Sequence, residues 1–283
     1  MSLTFIPTVW AARLLSALEK ELVYGQTNVS NRDYEGEIRL AGNTVKIASI
    51  GDVSIGDYEK DTPIGDPDIL TDTDQTMLID QQKFFHFFVD SVDRAQQNVN
   101  VLDEAMRRSA WKLRDAADTY IASLMDAAIP VDNQIGTLVT PIEPTADDAY
   151  EYLVDLGVKL DEANTPLDGR FCVVPAWFHG LLLKDNRFVN AGTMRSDRAL
   201  ANGAVGEAAG FTILKSNNVP NTAGAAYRII AGHRIATTYA EQIVDLQTYQ
   251  PEQLFGDAVK GLHVYGAKVV RPTALACLIA DKA

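Results

Sequence analysis

The chain has 283 residues, 47% of them apolar, which is enough for one or two domains with a sizeable core and excludes disorder as the default. Its 25 basic and 38 acidic residues give a formal net charge of -13, the reverse of the clustered Lys and Arg that a protein gripping nucleic acid needs. The two cysteines, Cys172 in FCVV and Cys277 in ACLIA, supply no disulfide framework and read as small core hydrophobes.

From the amino terminus, Phe5, Val9, Leu14, Leu18 and Leu22 fall on one side of a short helix after Pro7, an arm or a docked terminal helix. This segment has no basic n-region and no small-residue cleavage site, and no apolar run in the chain approaches the ~18 residues of a membrane span. The expectation is synthesis in the cytosol and no membrane partner. Gly36 to Leu40 and Asn43 to Ile50 then alternate with period two around Ala41-Gly42, a hairpin-like pattern.

Between Gly51 and Asp80 the chain places nine carboxylates (Asp52, Asp57, Glu59, Asp61, Asp66, Asp68, Asp72, Asp74 and Asp80) against Lys60, a net charge of -8. Such a stretch cannot build a core of its own. Its flanks, Asn43 to Ile50 and Thr76 to Phe88, read as strands, so the pattern predicts a long hairpin arm thrust from a globular body, with KFFHFFVD as a strongly apolar returning strand. Asp66, Asp68, Asp72 and Asp74 offer hard oxygen ligands, but the spacing, central glycine and terminal Glu of a calcium loop are missing. A solvated or partner-facing hairpin is the better reading.

Val101 to Ala128 changes period to a helix, with Leu102, Ala105 or Met106, Ser109, Leu113, Ala117, Tyr120, Leu124 and Ala128 on one stripe. At ~1.5 Å per residue it forms a rod of roughly 42 Å. Its other faces carry Arg107, Arg108, Lys112 and Arg114, a basic patch in an acidic chain. Pro130 stops this helix, and Thr145 to Ala163 gives a second one, with Thr145 as N-cap before Asp147 and Asp148. A strand at Arg170 to Val174, a helix at Pro175 to Leu183 and a polar loop from Lys184 to Gly203 follow. Gly206 to Leu214, Arg228 to Ala231, and segments within Ile235 to Tyr249 and Leu262 to Ile279 read as strands, an α+β order with mixed pairing.

No catalytic motif survives inspection. The histidines His86, His179, His233 and His263 are scattered without metal-ligand spacing, and GDVSIG has one residue too many before Ser54 to be a nucleophile elbow. GLHVYGAK places Ala267 between Gly266 and Lys268, unlike a phosphate loop, and the glycines of NGAVGEAAGF precede a strand rather than open a helix. No catalytic residue, metal or cofactor is therefore expected.

An N-terminal arm, an acidic hairpin, a long helix and a mixed α+β region, in that order, resemble the major capsid protein of a tailed bacteriophage with the Hong Kong 97 type of fold. The most specific segments are LDEANTPLDGRFCVVPAWFHGLLLKDNRF, GAVGEAAGFTILKSNNVP and FGDAVKGLHVYGAKVVRPTALACLIA. The resemblance implies an N-arm at 1–33 and an extended E-loop within 34–131, with its tip at about 51–80 and Val101 to Ala128 as the spine helix of a peripheral domain. It further implies an axial domain at 132–230, peripheral strands at 231–270 and a return strand at 271–283. The loop from Lys184 to Gly203 would then lie near the capsomer centre.

On that pattern the hairpin lies over the next subunit, and Asp57, Glu59, Lys60, Asp61, Asp66 and Asp68 would meet Arg107, Arg108, Lys112 and Arg114, with Trp10 a further contact. About fifteen residues per strand reach roughly 50 Å, enough to cross a neighbour. Independently solvated charges are the plainer reading of any one such pair.

The implied partners are further copies in hexamers and pentamers, a separate scaffolding protein, a portal protein and a cement protein, around double-stranded DNA that is enclosed without sequence-specific binding. Some members carry a scaffolding segment ahead of the N-arm; here the N-arm pattern begins almost at Met1, so a separate scaffold is used or that segment is absent from this chain. The implied place is the virion, with assembly in the host cytoplasm. The family's type member links an E-loop lysine to a late asparagine, and Lys60 could serve, but Asn221 is the last asparagine of this chain. Covalent links are therefore not expected. Two alternatives stay open: an encapsulin-like nanocompartment shell, which shares the fold, and an α+β enzyme with an unrecognised site.

Overall fold

The computed structural model describes residues 23–33, 44–50, 57, 60, 72–90, 101–185, 206–253 and 255–282. The amphipathic stripe from Phe5 to Leu22, the pattern at Gly36 to Leu40 and most of the polar loop from Lys184 to Gly203 lie outside them. No helix among the described residues is long and apolar enough to cross a membrane.

The strands among the described residues form three sheets. Strands β1 (Thr44–Ile50) and β2 (Asp72–Leu78) pair antiparallel from Thr44↔Leu78 to Ile50↔Asp72, the hairpin expected on either side of the acidic stretch. The segment Thr76 to Phe88 is not one strand, however. It divides at Ile79 and Asp80, because β3 (Gln81–Asp90) leaves the hairpin and pairs with β10 (Gly256–Val269), which also pairs with β9 (Thr237–Tyr249). The resulting three-stranded sheet has the order β3-β10-β9.

The third sheet has six strands in the order β4-β11-β8-β5-β7-β6. These are β4 (Gln134–Ile135), β5 (Arg170–Val174), β6 (Glu207–Ala208), β7 (Phe211–Lys215), β8 (Tyr227–His233) and β11 (Leu275–Ala280). Pairing is mixed: β5 with β7 and β11 with β4 are parallel, the rest antiparallel. Between β6 and β7, Ala209 and Gly210 take φ of 49° and 79°, the left-handed pair of a two-residue hairpin turn.

Sequence alternation explains why this sheet separates two cores. On β5 and β11, Phe171, Val173, Leu275, Cys277 and Ile279 point to one side, while Cys172, Val174, Ala276, Leu278 and Ala280 point to the other. Strands buried on both faces read as continuous apolar runs, as RFCVV and LACLIA do. The first side receives helix α1 (Val101–Ala128) through Ala117, Ile121, Ala122 and Met125, together with Tyr239 and Tyr265 of the smaller sheet. The second side receives α2 (Ala149–Glu162) and α3 (Ala176–Lys184) through Leu153, Leu156, Leu160, Phe178 and Leu182.

The start of α2 departs from the capping expectation, because Asp148 precedes the first helical residue and the Thr145 hydroxyl donates instead of accepting a helix N–H. The regular helix begins at Ala149, but the Thr145 carbonyl accepts the Ala149 N–H at 3.1 Å, and the Thr145 N–H and hydroxyl donate to the Asp148 carboxylate at 2.6 and 2.9 Å. Asp148 reaches back three residues to fasten the entering turn, one half of a capping box.

The α1 bounds agree with the sequence reading, but its buried band does not. Ala110, Leu113, Ala117, Ile121 and Met125 are buried, and so are Arg114 and Asp118, whereas Ser109, Tyr120, Leu124 and Ala128 are only half-buried. The band is displaced by one residue around the helix, because two charged side chains belong to it.

Candidate assembly surfaces

The base of the hairpin is built into the body. Val45, Ile47, Met77 and Ile79 are buried against Ala240, Val264 and Val270 on one face of the three-stranded sheet. Where the chain leaves β2 it crosses β10 at Gly266, and a Cβ there would lie 2.4 Å from the Leu78 carbonyl oxygen. Only glycine permits that approach. The far end of the hairpin carries exposed Asp57 and Lys60. Asp52, Glu59, Asp61, Asp66 and Asp68, like Trp10 of the N-terminal segment, lie outside the described residues.

The four basic residues of α1 do not form one patch. Arg107, Arg108 and Lys112 are exposed, but Arg114 is 7% exposed, with its guanidinium 5.9 Å from the centre of the Trp111 ring and the charges of Asp115 and Asp118 nearby. Burial lowers the Arg114 pKa, and the two carboxylates act against that shift. Along the turn of the helix 114 follows 110 and 117 toward the core, while 107, 108 and 112 share the outer side, so Arg114 offers a neighbour's acidic arm less surface than the other three. Trp111, 53% exposed, lies among these outer cations; apolar counting alone did not single it out.

Sequence reading also missed a second surface. The face of β3 opposite α1 carries Phe84, 77% exposed, with Phe88 and Tyr249 partly open beside it. His86 stacks on Tyr249 at 6.0 Å and its Nε2 lies 3.0 Å from the tyrosine hydroxyl, while the Lys260 ammonium sits 5.4 Å from the centre of the same ring. With Gly261 and Leu262 they line an open groove of about 390 Å³. The signal was present in KFFHFFVD, whose aromatics occur at both odd and even positions and so occupy both faces of the strand. A cluster of exposed rings marks an interaction surface more often than a solvated one.

The remaining histidines pack within the body. His233 Nδ1 accepts the Ile235 N–H at 3.1 Å and its Nε2 lies 2.7 Å from the Asp168 carbonyl. His263 Nε2 lies 3.1 Å from a Glu241 carboxylate oxygen, and His179 is buried with its pKa lowered by burial and by nearby Lys215. Burial pushes both cysteine thiols up to about 12, which leaves them without thiolate character at neutral pH. Among the described residues no group of three His, Cys, Asp or Glu side chains could hold a metal ion.

A family model described as phage capsid protein matches residues 74–278. No curated protein sequence matches the chain. Among solved structures, a chain from Mycobacterium phage Che8 is 32% identical, with a TM-score of 0.72 over 91% of this chain and 90% of that one. The capsid structure of cyanophage P-SCSP1u gives a TM-score of 0.69 at 18% identity over 86% and 85% of the two chains. The mature capsid of bacteriophage PhiM1 gives 0.62 at 16% over 89% and 84%. The last two are likenesses of fold.

Proposed function

The chain belongs to the phage capsid protein family, and from that premise we infer that its work is self-assembly. It is a structural major capsid protein with the Hong Kong 97 type of fold, a component of the virion shell. The observation that carries this reading is the family match over residues 74–278 joined to 32% identity along nine-tenths of a phage chain. An encapsulin-like shell is not favoured, because the matching family is that of phage capsid proteins.

The physics supports the same conclusion. A lone two-stranded hairpin is marginal in water, yet β1 and β2 lead into an acidic stretch that cannot build a core, and the packing described for them is at their base. We propose that this arm reaches over a second copy. In the family's terms, α1 with β3, β9 and β10 forms the peripheral domain at 34–131 and 231–270, and the six-stranded sheet forms the axial domain at 132–230 with the return strand 271–283. The sheet memberships support this division, although β8 runs through His233 and so crosses the boundary at 230.

Further partners under this proposal are a separate scaffolding protein, a portal protein and a cement protein, with double-stranded DNA enclosed and assembly in the host cytoplasm. A net charge of -13 suits a wall that encloses DNA without gripping it. Sedimentation of the purified chain, at high concentration and with any scaffold supplied, should show capsomers or closed shells. A lasting monomer with an ordered hairpin would overturn the proposal.

A further inference from the structure

Residues 23–33 run from α1 to β9 as a strap fastened at two points by buried carboxylates. At the first, the backbone N–H groups of Val23 and Tyr24 donate to one Asp118 oxygen at 3.0 and 2.7 Å, and the Asn218 amide donates to the other at 3.2 Å. Asp118 lies on α1 and is 3% exposed, and the side chains of Tyr24 and Val29 are fully buried in the main core. The Ser30 hydroxyl then donates to the Tyr24 carbonyl at 2.7 Å, closing the strap on itself.

At the second point the strap meets β9. The Asn31 N–H donates to the Thr237 carbonyl at 2.8 Å and the Asn31 carbonyl accepts the Tyr239 N–H at 2.9 Å. Arg32 pairs with Glu241, and its guanidinium lies 5.5 Å from the centre of the Tyr239 ring. Glu241, 8% exposed, also accepts the Tyr239 hydroxyl at 2.6 Å and faces His263 Nε2 at 3.1 Å. Its titratable and charged neighbours are thus Arg32 on the strap, Tyr239 on its own strand and His263 on β10.

The two fastenings differ in kind. Asp118 is held by neutral donors beside a deeply seated tyrosine, whereas Glu241 holds the strap through a charge pair whose arginine side chain keeps 15% exposure. Beyond Asp33 the chain leads on to β1 and the acidic hairpin. We propose that the strap unfastens at its Arg32–Glu241 end while staying pinned at Tyr24, so that residues 31–33 detach from β9 while residues 23–30 stay in place.

Acid acts in opposite senses on the two ends. Burial raises the Asp118 pKa more than the bonds from Tyr24, Asn218 and Val23 lower it, so its stabilising contribution is full below the unfolded value and is lost as pH rises. Burial also pushes Glu241 upward, but the bonds from His263 and Tyr239 and the Arg32 charge outweigh it and hold the pKa below the usual 4.5. Its contribution is present above the unfolded value and disappears as pH falls through the lowered folded value. Acidification below the ordinary carboxylate range therefore loosens the Arg32 end alone.

Hydrogen–deuterium exchange of the unassembled full-length chain tests this, and its failure would leave the assembly reading untouched. Glu241→Gln should speed exchange of peptides covering 31–33 and 237–241 about tenfold or more, the loss of one charge-assisted hydrogen bond. Peptides covering 23–30 and α2 should keep their wild-type rates. Arg32→Gln, which leaves Glu241 with Tyr239 and His263, should give the same pattern, as should acidification after correction for intrinsic rates. Unchanged exchange in both variants overturns the proposal. So does an equal rise at the Tyr24 end, or a loss of protection that extends to α2, because either would make the Arg32 contact inseparable from the fold.

Discussion

Arg114→Glu should cost the unassembled chain about 1–3 kcal/mol, because it removes a largely buried side chain whose guanidinium lies 5.9 Å from the centre of the Trp111 ring and sets a third carboxylate near Asp115 and Asp118. A loss of that size is a large share of the ~5–15 kcal/mol that keeps a domain folded. Changing Arg107, Arg108 and Lys112 together to Glu should move the melting temperature by no more than about 4 °C, since all three are exposed. The triple variant should instead weaken assembly, and more so at low salt, because exposed charges are screened beyond about 8 Å at 0.15 M. Thermal melts read the first effect and light scattering against salt the second. Equal loss of assembly at every salt concentration would show that the outer side of α1 contributes packing rather than charge.

Removing the acidic tip should abolish assembly without unfolding the body. Ile50 and Asp72 are the last paired residues of the hairpin, so residues 51–71 can be replaced by Asn-Gly, the pair that closes a two-residue turn between antiparallel strands. The base of the hairpin remains packed through Val45, Ile47, Met77 and Ile79. The shortened chain should melt within a few degrees of the full one and sediment as a small species under conditions where the full chain builds large ones. Shells formed by the shortened chain would mean that the tip is dispensable and that the open aromatic face or the N-terminal segment carries the contact.

Much of the fold was legible because local pattern and tertiary role agree. Helix α1 and strand β5 have the expected bounds, and β1 forms a hairpin as anticipated, although only Thr76 to Leu78 of the expected returning flank pair with it. The failures have identifiable causes. The division of Thr76 to Phe88 was hidden because Met77 and Ile79 continue an unbroken alternation through the corner, which depends on Gly266 nearly two hundred residues later. The buried band of α1 was misplaced by one residue because Arg114 and Asp118 lie inside it, and counting apolar positions discards the charged residues that a core pairs or hydrogen-bonds. The open face at Phe84, Phe88 and Tyr249 did not stand out, since KFFHFFVD reads only as a strongly apolar strand and an aromatic side chain awaiting a partner looks the same in sequence as one already covered. Long-range fastening was invisible as well: nothing near Val23 or Arg32 points to Asp118 or Glu241.

Electron microscopy of the purified full-length chain, expressed with any scaffolding partner, tests the central claim most directly. The fold, the family and the acidic hairpin together predict closed icosahedral shells in which hexamers and pentamers are resolved, each copy contacting its neighbours through the extended arm. A preparation containing only monomers or small discrete oligomers, folded and concentrated but building no shell, sheet or tube, would contradict the account.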